Sequence, residues 1–509
     1  MSTVSRRAFI RAGLAAGVGL GVGIPIALGA GGSASTGNLL RGRLRPPAFT
    51  RPLPIPDVLE PVRSDAEADY YQITQAPAVV SLAPGTRTGI WAYNGTFPGP
   101  TIVSRRNRTA VVTHTNRLPV PTVVHLHGGR TPPDSDGYPI DFLHPEGFHA
   151  DHADMSGDVR VGSRTYTYPL DQRAATLWYH DHRMDFTGPS VWRGLAGFHL
   201  VRDDEEDALG LPSGPRELPL MITDRSFDAD GSLLYPSLDP TLLHTPGVTD
   251  PYAAGVLGDV MLVNGAPWPV ADVDGAKYRL RILNACNARR LDLRLDPRPD
   301  DGLVQIGTDG GLLATPVRHE HFELAPAQRL DVIVDFARYP PGTLVTLFND
   351  FDDGEMHRVM RFRVGERVAD SSALPDRLSA VHVLTESEAV VTRTLHFASG
   401  GMGWLVNGQP FSPDTIAATP RLGTVEVWRL VTDFHHPVHV HLAPFQVLSR
   451  GIGGPGPFDA GWKDTIDLRP AEVAAIAIRF DGYPGKYVFH CHNLEHEDMA
   501  MMGNFVTTA

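Results

Sequence analysis

Histidine is the residue type in this chain that points most directly to chemistry. The 509 residues include 22 histidines, and the number of His-x-His pairs is several times what a random placement gives. The five pairs are His125/His127, His180/His182, His319/His321, His439/His441 and His490/His492. Residues two apart on a β-strand point to the same face, so each pair can present two imidazoles to one metal ion or to two adjacent ions.

One of these pairs brackets a cysteine. Strand alternation places the thiolate of Cys491 on one face and the imidazoles of His490 and His492 on the other. One cysteine and two histidines with a weak axial methionine form the ligand set of a blue copper site. Met499 and Met502 are the alternatives for the axial position if the register differs. The residues that can supply the set are Cys491, His436, His496 and Met501.

Eight further histidines suffice for three more copper ions, and a zinc site does not explain so many imidazoles beside a cysteine-centred set. They are His125, His127, His180, His182, His439, His441, His490 and His492. For the fifth pair, His319/His321, a solvated polar face is the simpler interpretation. Cys286, the other cysteine, is predicted to be a structural residue.

A separate acidic loop carries three histidines, His144, His149 and His152. Asp151 and Asp154 flank the last of them, which makes the loop an alternative metal-ion site. A solvated loop is the favoured interpretation.

The elements that must position these residues are strands. An Asn-Gly turn followed by proline begins at Asn94, Asn264 and Asn407, and an alternating β-type run follows each one. Three similar β domains are the simplest explanation. The first and third copies continue into histidine pairs, whereas the middle copy reads Arg290-Leu291-Asp292-Leu293. The outer domains therefore carry the chemistry and the middle one is a spacer.

Composition narrows the class of protein. With 45 Lys and Arg against 58 Asp and Glu the formal net charge is −13, which argues against a nucleic-acid partner. A content of 42% hydrophobic and 20% charged residues excludes a disordered chain. The 51 glycines and 44 prolines favour a β-rich protein with many turns. Two cysteines exclude a disulfide framework.

Residues 1–34 have the pattern of a twin-arginine export signal. Arg6 and Arg7 precede an uncharged stretch that ends near Ala30, followed by small residues suited to cleavage. The stretch approaches the length of a membrane anchor, but its glycines and Pro25 favour a cleaved signal. We therefore expect an extracytoplasmic protein, secreted or associated with the cell envelope, without a stable membrane anchor.

With these motifs the sequence resembles the multicopper oxidases over nearly the whole chain after the signal. Four family signatures occur in order with no ligand missing. They are His125-Leu126-His127-Gly128-Gly129, Trp178-Tyr179-His180-Asp181-His182, His436-Pro437-Val438-His439-Val440-His441, and His490-Cys491-His492 with His496 and Met501. Residues 53–56, 131–137 and 495–498 are similar to those of the spore-coat laccase and bilirubin oxidase branch.

The resemblance implies an all-β fold of three cupredoxin-type Greek-key barrels, with a copper cluster between the first and the third. The expected domain organisation is a signal over 1–34, an extended strap over 35–64, barrels over 65–205, 206–365 and 391–509, and a linker over 366–390.

The resemblance also implies four copper ions, one of type 1, one of type 2 and two of type 3. Type 1 copper is assigned to His436, Cys491 and His496 with Met501 axial, and type 2 copper to His125 and His439. One type 3 copper is assigned to His127, His180 and His492, and the other to His182, His441 and His490.

The activity implied is a laccase-type oxidation. Phenolic or related aromatic donors give up electrons singly, and dioxygen takes four to form two waters. Electrons are expected to enter at the type 1 site, near the surface through His496 or His436, and to pass through Cys491. Asp136 and Glu497 occupy the positions of the carboxylates that supply protons.

Two alternatives stay open at this point. One is a metal oxidase acting on Cu(I), Fe(II) or Mn(II), although the chain has only 11 methionines and no methionine-rich run. The other, less favoured, is a structural protein that has lost copper. The sequence does not indicate the oligomeric state.

Overall fold

The computed structural model describes residues 35–148, 157–299, 302–401 and 403–509. In these residues the chain is built mostly from β-strands, with a few short helices. The major sheets fall into three consecutive pairs, each enclosing an apolar core of its own. The predicted all-β, three-barrel fold class is confirmed.

The first barrel follows a short strand of the N-terminal strap. The elements up to its end are β1 (Asn38–Leu39), β2 (Arg63–Ser64), β3 (Ala68–Val80), β4 (Thr88–Tyr93), β5 (Gly99–Arg105), β6 (Thr109–Asn116), β7 (Val124–His127), β8 (Leu143–His144), β9 (Arg160–Val161), β10 (Ser163–Tyr168), β11 (Ala175–Asp181), α1 (Thr187–Arg193), β12 (Ala196–Arg202) and α2 (Asp204–Asp207). One sheet has the order β10-β6-β3-β2 with β4 paired to β3, and the other the order β5-β12-β11-β7.

The second barrel has the largest sheet. Its strands are β13 (Glu217–Phe227), β14 (Leu233–Leu234), β15 (Val256–Leu257), β16 (Val260–Val263), β17 (Ala266–Pro267), β18 (Val270–Gly275), β19 (Lys277–Asn284), β20 (Leu291–Asp296), β21 (Leu303–Thr308), β22 (Gly311–His319), β23 (Phe322–Leu324), β24 (Arg329–Asp335), β25 (Leu344–Asn349) and β26 (Arg358–Arg367). The sheet orders are β17-β16-β13-β19-β24-β21-β22, with β14 on β13, and β18-β26-β25-β20-β23.

The third barrel contains two five-stranded sheets and one helix. Its elements are β27 (Ala389–Gly400), β28 (Gly403–Val406), β29 (Ile416–Ala418), β30 (Thr424–Thr432), β31 (His436–Val440), β32 (Phe445–Arg450), β33 (Thr465–Leu468), β34 (Val473–Phe480), β35 (Gly485–Cys491), α3 (Leu494–Asp498) and β36 (Met502–Thr507). The orders are β28-β27-β30-β34-β32 and β29-β36-β35-β31-β33.

Short 3₁₀ turns complete the described elements. They span Pro133–Ser135, Gly214–Arg216, Asp250–Tyr252, Phe336–Arg338 and Glu386–Glu388. None of the helices in the described part of the chain combines the length and the apolar character needed to cross a membrane.

The three Asn-Gly turns are built identically. In each, both residues have positive φ, as a type I′ turn requires. Each asparagine donates its backbone N–H to the carbonyl of one partner residue on the neighbouring strand. Its side-chain oxygen accepts the backbone N–H of that partner residue at 2.7–2.9 Å. The asparagines and their partners are Asn94 with Thr74, Asn264 with Met221, and Asn407 with His396. The repeat seen in the sequence therefore corresponds to a turn of the same structure in each of the three barrels.

The pattern of buried residues along a strand shows whether it faces solvent or another barrel. In β10 and β18 buried and exposed residues alternate, as expected for strands with one solvated face. In β7, β11 and β31 every residue is buried. These strands have a barrel core on one side and other protein on the other side. The pairs His125/His127, His180/His182 and His439/His441 lie on them or at their ends.

The strap runs along the first two barrels. β1 pairs in parallel with β15, while Pro52 bridges to Val270 and Val58 bridges to Thr101. Asn493, beside the third barrel's helix α3, donates its side chain to Ala254 of the second barrel at 3.1 Å. Contacts of this kind tie the three barrels together around the histidine-bearing strands.

Candidate metal centre

Eight histidines converge between the first and third barrels. In the pairing of β7 with β11, His125 lies opposite His180, and in the pairing of β31 with β35, His439 lies opposite His490. Side chains opposite each other in an antiparallel pair share a face. Each barrel therefore presents a group of imidazoles to the other. The eight residues, none more than 1% exposed, are His125, His127, His180, His182, His439, His441, His490 and His492.

Their ring nitrogens approach closely. Nε2 of His490 lies 3.2 Å from Nε2 of His182 and 3.3 Å from Nε2 of His441. Nε2 of His125 lies 3.4 Å from Nε2 of His439. Four sets of three donors lie in this cluster, with the donor atoms of each set within 4.8 Å of one another, and two of them are the predicted type 3 sets. The sets are His127, His180 and His492; His182, His441 and His490; His125, His439 and His441; and His127, His439 and Asp464.

Hydrogen bonds behind the cluster orient several of these rings. Nδ1 of His125 donates to the carbonyl of Asp136 at 2.5 Å, and Nδ1 of His439 donates to the carbonyl of Asp464 at 2.8 Å. His180 makes the same bond to the next residue's carbonyl. Because a carbonyl only accepts, the proton lies on Nδ1 and the Nε2 lone pair is left for a metal ion.

Burial lowers the pKa of imidazoles in the cluster. It lowers the pKa of His180 to about 3 and that of His182 to about 4, and neighbouring imidazoles add to the effect on His180. Neutral imidazole is the form that ligates metals.

Buried nitrogens without a partner show that the site fits metal ions. Among the described residues, Nδ1 of His127, Nε2 of His180 and both ring nitrogens of His492 have no hydrogen-bond partner. Leaving several buried polar atoms unsatisfied in one place is costly. Since these three residues form one of the three-donor sets, a bound metal ion would satisfy them.

Cys491 lies on the opposite face of β35, as predicted. Its Sγ is 3.5 Å from Nδ1 of His436 and 3.6 Å from Nδ1 of His496, and these two nitrogens are 3.1 Å apart. Met501 is fully buried and hydrogen-bonds through its backbone to both Cys491 and His496. The four residues predicted for a blue copper site are therefore brought together.

The site lies one residue below the surface, because Asp433 and Ala254, which contact its two imidazoles, are themselves partly exposed. Neither His436 nor His496 is exposed to solvent. Nε2 of His496 donates to the carbonyl of Ala254 at 3.1 Å, and the indole of Trp404 stacks on its ring. Nε2 of His436 donates to Asp433 at 3.0 Å. Ala254 of the second barrel and Trp404 thus cover His496, while Asp433 of the third barrel contacts His436.

Asp136 lies beside the cluster. Its Oδ2 is 2.7 Å from Nδ1 of His441, and Thr131 donates its hydroxyl to Oδ1 at 3.1 Å. Burial raises the pKa of Asp136 to about 8, so this carboxyl is suited to hold a proton near neutral pH.

Glu497 lies on another side of the same cluster. Its oxygens are 3.1 Å from Nδ1 of His490 and 3.5 Å from Nδ1 of His182, and Thr187 donates its hydroxyl to Oε1 at 2.7 Å. Burial opposes ionisation, but the adjacent imidazoles outweigh it and hold the pKa of Glu497 below its ordinary value. The two carboxyls therefore favour opposite protonation states.

The remaining sequence candidates that the structure describes make ordinary contacts. His144 packs against Phe148, and His149, His152, Asp151 and Asp154 lie outside the described residues. His319 donates to Gln305 and His321 to Asp292. Cys286 is a free, buried thiol. Within the described part of the chain, none of these residues belongs to a group of three or more clustered metal ligands.

Several residues around the site were not found from sequence. Asp433 and Asp464 contact ligand imidazoles, Trp404 covers His496, and Trp178 stacks on His180 with ring centroids 4.2 Å apart. Of these residues only Trp178 could have been identified from the sequence, because it belongs to the second histidine motif.

The chain belongs to the multicopper oxidase family. Family models described as multicopper oxidase match residues 381–509, and residues 75–148 with 157–206. The protein is therefore a copper-binding oxidoreductase.

Individual relatives are similar over most of their length. A laccase of Bacillus subtilis is 38% identical, over 89% of this chain and 97% of the relative. A bilirubin oxidase of Albifimbria verrucaria is 32% identical, over 94% and 85%. The crystal structure of a laccase from Pediococcus acidilactici matches with a TM-score of 0.81 at 30% identity, covering 92% of this chain and 96% of that one.

Proposed function

We propose that this protein is a laccase-type oxidase that couples four one-electron oxidations of phenolic or related aromatic donors to the reduction of dioxygen to water. The observation that carries the proposal is the separation of two ligand sets on one strand. Cys491 contacts His436 and His496 on one face, while His490 and His492 join the eight-imidazole cluster on the other.

The proposed copper sites follow these sets. His436, Cys491 and His496 would hold type 1 copper together with Met501, and His125 and His439 would hold type 2 copper. The type 3 pair would be held by two triplets, which are His127, His180 and His492, and His182, His441 and His490. Bound copper supplies reversible one-electron chemistry, and four ions together match the four electrons that dioxygen requires.

The chain's own residues connect the two proposed copper sites and supply protons for the formation of water. Cys491 is joined to His490 and His492 by single peptide units, which gives the shortest covalent route between the two sites. Asp136 holds a proton at its carboxyl beside His441, and Glu497 is an ionised acceptor beside His490. Protons for water formation are delivered at these two carboxyls.

The substrate class rests on the relatives and on the described clusters. The similar proteins above are a laccase and a bilirubin oxidase, which favours aromatic donors. Every group of three or more clustered metal-ligating side chains in the described ranges belongs to the imidazole cluster or to the Cys491 site. No observation on the described residues therefore favours a metal-ion substrate, and the complete ligand set speaks against a copper-free structural protein.

Export and domain limits are also part of the proposal. Residues 1–34, which lie outside the described residues, are proposed as a twin-arginine signal on the strength of their sequence pattern. The barrels are proposed to span 65–205, 206–365 and 391–509, with the strap before them and the linker over 366–390.

Oxygen uptake by the copper-loaded chain tests the proposed reaction. A methoxyphenol, bilirubin, Cu(I) and Mn(II) are compared at matched concentrations, with Cys491→Ser as the inactive control. We expect the organic donors to support the fastest uptake, with one dioxygen consumed for every four electrons. Faster uptake with a metal ion would identify a metal oxidase instead.

A further inference from the structure

We propose that Arg329, in the barrel that supplies no ligand, is a positioning residue for the imidazole cluster and acts through Asp464. The middle barrel is then part of the metal centre and more than a spacer. The inference rests on the proposed copper sites, because it concerns how the chain orients their ligands.

The Arg329 side chain meets all three barrels. Arg329 is the first residue of β24 in the second barrel, and its side chain is fully buried. Its Nε donates to the carbonyl of Thr176, on β11 of the first barrel, at 2.9 Å. Its Nη1 donates to Oδ1 of Asp464, in the third barrel, at 2.7 Å, and its Nη2 donates to Oδ2. A two-pronged arginine–carboxylate pair is both strong and geometrically specific.

Asp464, which Arg329 holds in place, contacts imidazoles from two barrels. Its Oδ1 lies 3.1 Å from Nε2 of His127, from the first barrel, and its backbone carbonyl accepts Nδ1–H of His439, from the third, at 2.8 Å. Arg329 fixes both carboxylate oxygens as acceptors, so the His127 proton lies on Nε2. Thr465, the next residue, places its hydroxyl 3.3 Å from the same nitrogen.

This arrangement gives His127 a ring orientation opposite to that of its neighbours. His125, His180 and His439 donate through Nδ1 to carbonyls, which leaves their Nε2 lone pairs for a metal ion. His127 instead is held at Nε2, and its buried Nδ1 has no partner among the described residues. Nδ1 is therefore the nitrogen left for the set that His127 forms with His180 and His492. An isolated imidazole does not strongly favour this ring orientation. The hydrogen bond to the Asp464 carboxylate therefore determines it.

A second arginine of the same barrel provides a matched control. Arg281 is 1% exposed and reaches the first barrel at Thr176, whose hydroxyl accepts its Nη1 at 2.9 Å. Its other partners are the carboxylates of Glu206, Glu217 and Asp331. No imidazole is among these partners. Arg281→Leu therefore removes a buried contact between the same two barrels without touching the cluster.

The experiment compares Arg329→Leu, Arg329→Lys and Asp464→Asn with Arg281→Leu. Copper affinity of the cluster is measured by competition with a chelator, with type 1 absorption as an internal reference and the electron paramagnetic resonance spectrum as a report of cluster geometry. Removing partners behind metal-bound imidazoles typically costs about 10- to 100-fold in metal affinity. We expect a loss of that size for Arg329→Leu and Asp464→Asn, partial rescue by Arg329→Lys, and an unchanged type 1 band.

The control separates positioning from simple stability. Arg281→Leu is expected to lower the thermal midpoint while leaving chelator competition and the resonance spectrum as in the wild type. If Arg329→Leu behaves like Arg281→Leu, with a lower midpoint and an unchanged spectrum, Arg329 is only a structural contact and the inference is wrong. If Asp464→Asn abolishes binding of one copper while Arg329→Leu changes nothing, Asp464 is itself a ligand and the inference is also wrong.

A copper-free readout keeps this test separate from the proposed function. Crystal structures of metal-depleted wild type and Asp464→Asn report the orientation of the His127 ring directly. We expect the ring to leave its position against residue 464 in the variant. An unchanged ring contradicts the positioning role, whereas a wild type that binds no copper contradicts the proposed function irrespective of the ring.

Discussion

The indole of Trp404 stacks on the imidazole of His496, with ring centroids 3.7 Å apart and planes inclined by 25°. Its Nε1 donates to the carbonyl of Ala253 at 2.9 Å, which locks the indole against the second barrel. The stack completes the cover over the Cys491 site. Electron donors therefore meet this cover, and not an exposed imidazole, when they approach.

Trp404→Ala removes that cover. We expect kcat/KM to rise several-fold for bulky phenols and to change less for small ones, because the edge of His496 becomes accessible. Trp404→Phe, which retains a ring, is expected to behave as the wild type. Steady-state kinetics with phenols of graded size make the comparison. A fall in kcat/KM for every donor, with an intact type 1 band, would show that the indole conducts electrons itself.

Asp433→Asn tests electrostatic control of the Cys491 site. Asp433 accepts Nε2–H of His436 at 3.0 Å and is held by the backbone N–H and the hydroxyl of Ser399. Loss of its negative charge makes the imidazole a poorer electron donor to a bound cation. We expect the type 1 reduction potential to rise by about 60 mV, equivalent to a tenfold shift for one electron. Redox titration of the blue band measures it, and an unchanged or lower potential would refute the assignment.

Glu497→Gln separates electron entry from oxygen reduction. The variant keeps the shape of the side chain but loses the charge beside His490 and His182. Proton transfer groups contribute about 100-fold or more to rate, and we expect kcat to fall by that order. Reduction of the type 1 site by a phenol under anaerobic conditions should proceed as in the wild type. If that reduction slows equally, Glu497 acts on electron entry and the proton role is wrong.

Acid sensitivity is expected from the buried charges between the first and second barrels. Burial opposes ionisation of Glu217, but Arg281 and Arg202 outweigh it and lower its pKa to about 2. A pKa lowered on folding contributes stability above the unfolded value, about 4.3, which is lost as pH falls towards 2. Thermal midpoints of the wild type should drop across this window. Glu217→Gln should have a lower midpoint at pH 7 and a flatter profile below pH 5, and a profile parallel to wild type would contradict the linkage.

The sequence predicted the cluster because its signal is local. Period-two spacing puts His125 and His127 on one face of a strand, and alternation sends Cys491 away from His490 and His492. The Asn-Gly turns likewise identify the repeat, since each is a two-residue feature with one backbone conformation.

The surroundings of the cluster could not be predicted in the same way, because they arise from contacts between barrels. Arg329 and Asp464 are 135 residues apart and share no motif, and Ala254 reaches His496 across 242 positions. Burial of His496 depends on how the second barrel packs against the third. Spacing within one strand carries no information about that packing.

Copper content of the purified chain tests the central claim most directly. Metal analysis and visible absorption are measured for the wild type, for Cys491→Ser and for Cys286→Ser, which alters the other buried free cysteine. We expect about four copper ions and a blue band for the wild type and for Cys286→Ser, and about three ions without the band for Cys491→Ser. No copper in the wild type, or a blue band that survives in Cys491→Ser, would contradict it.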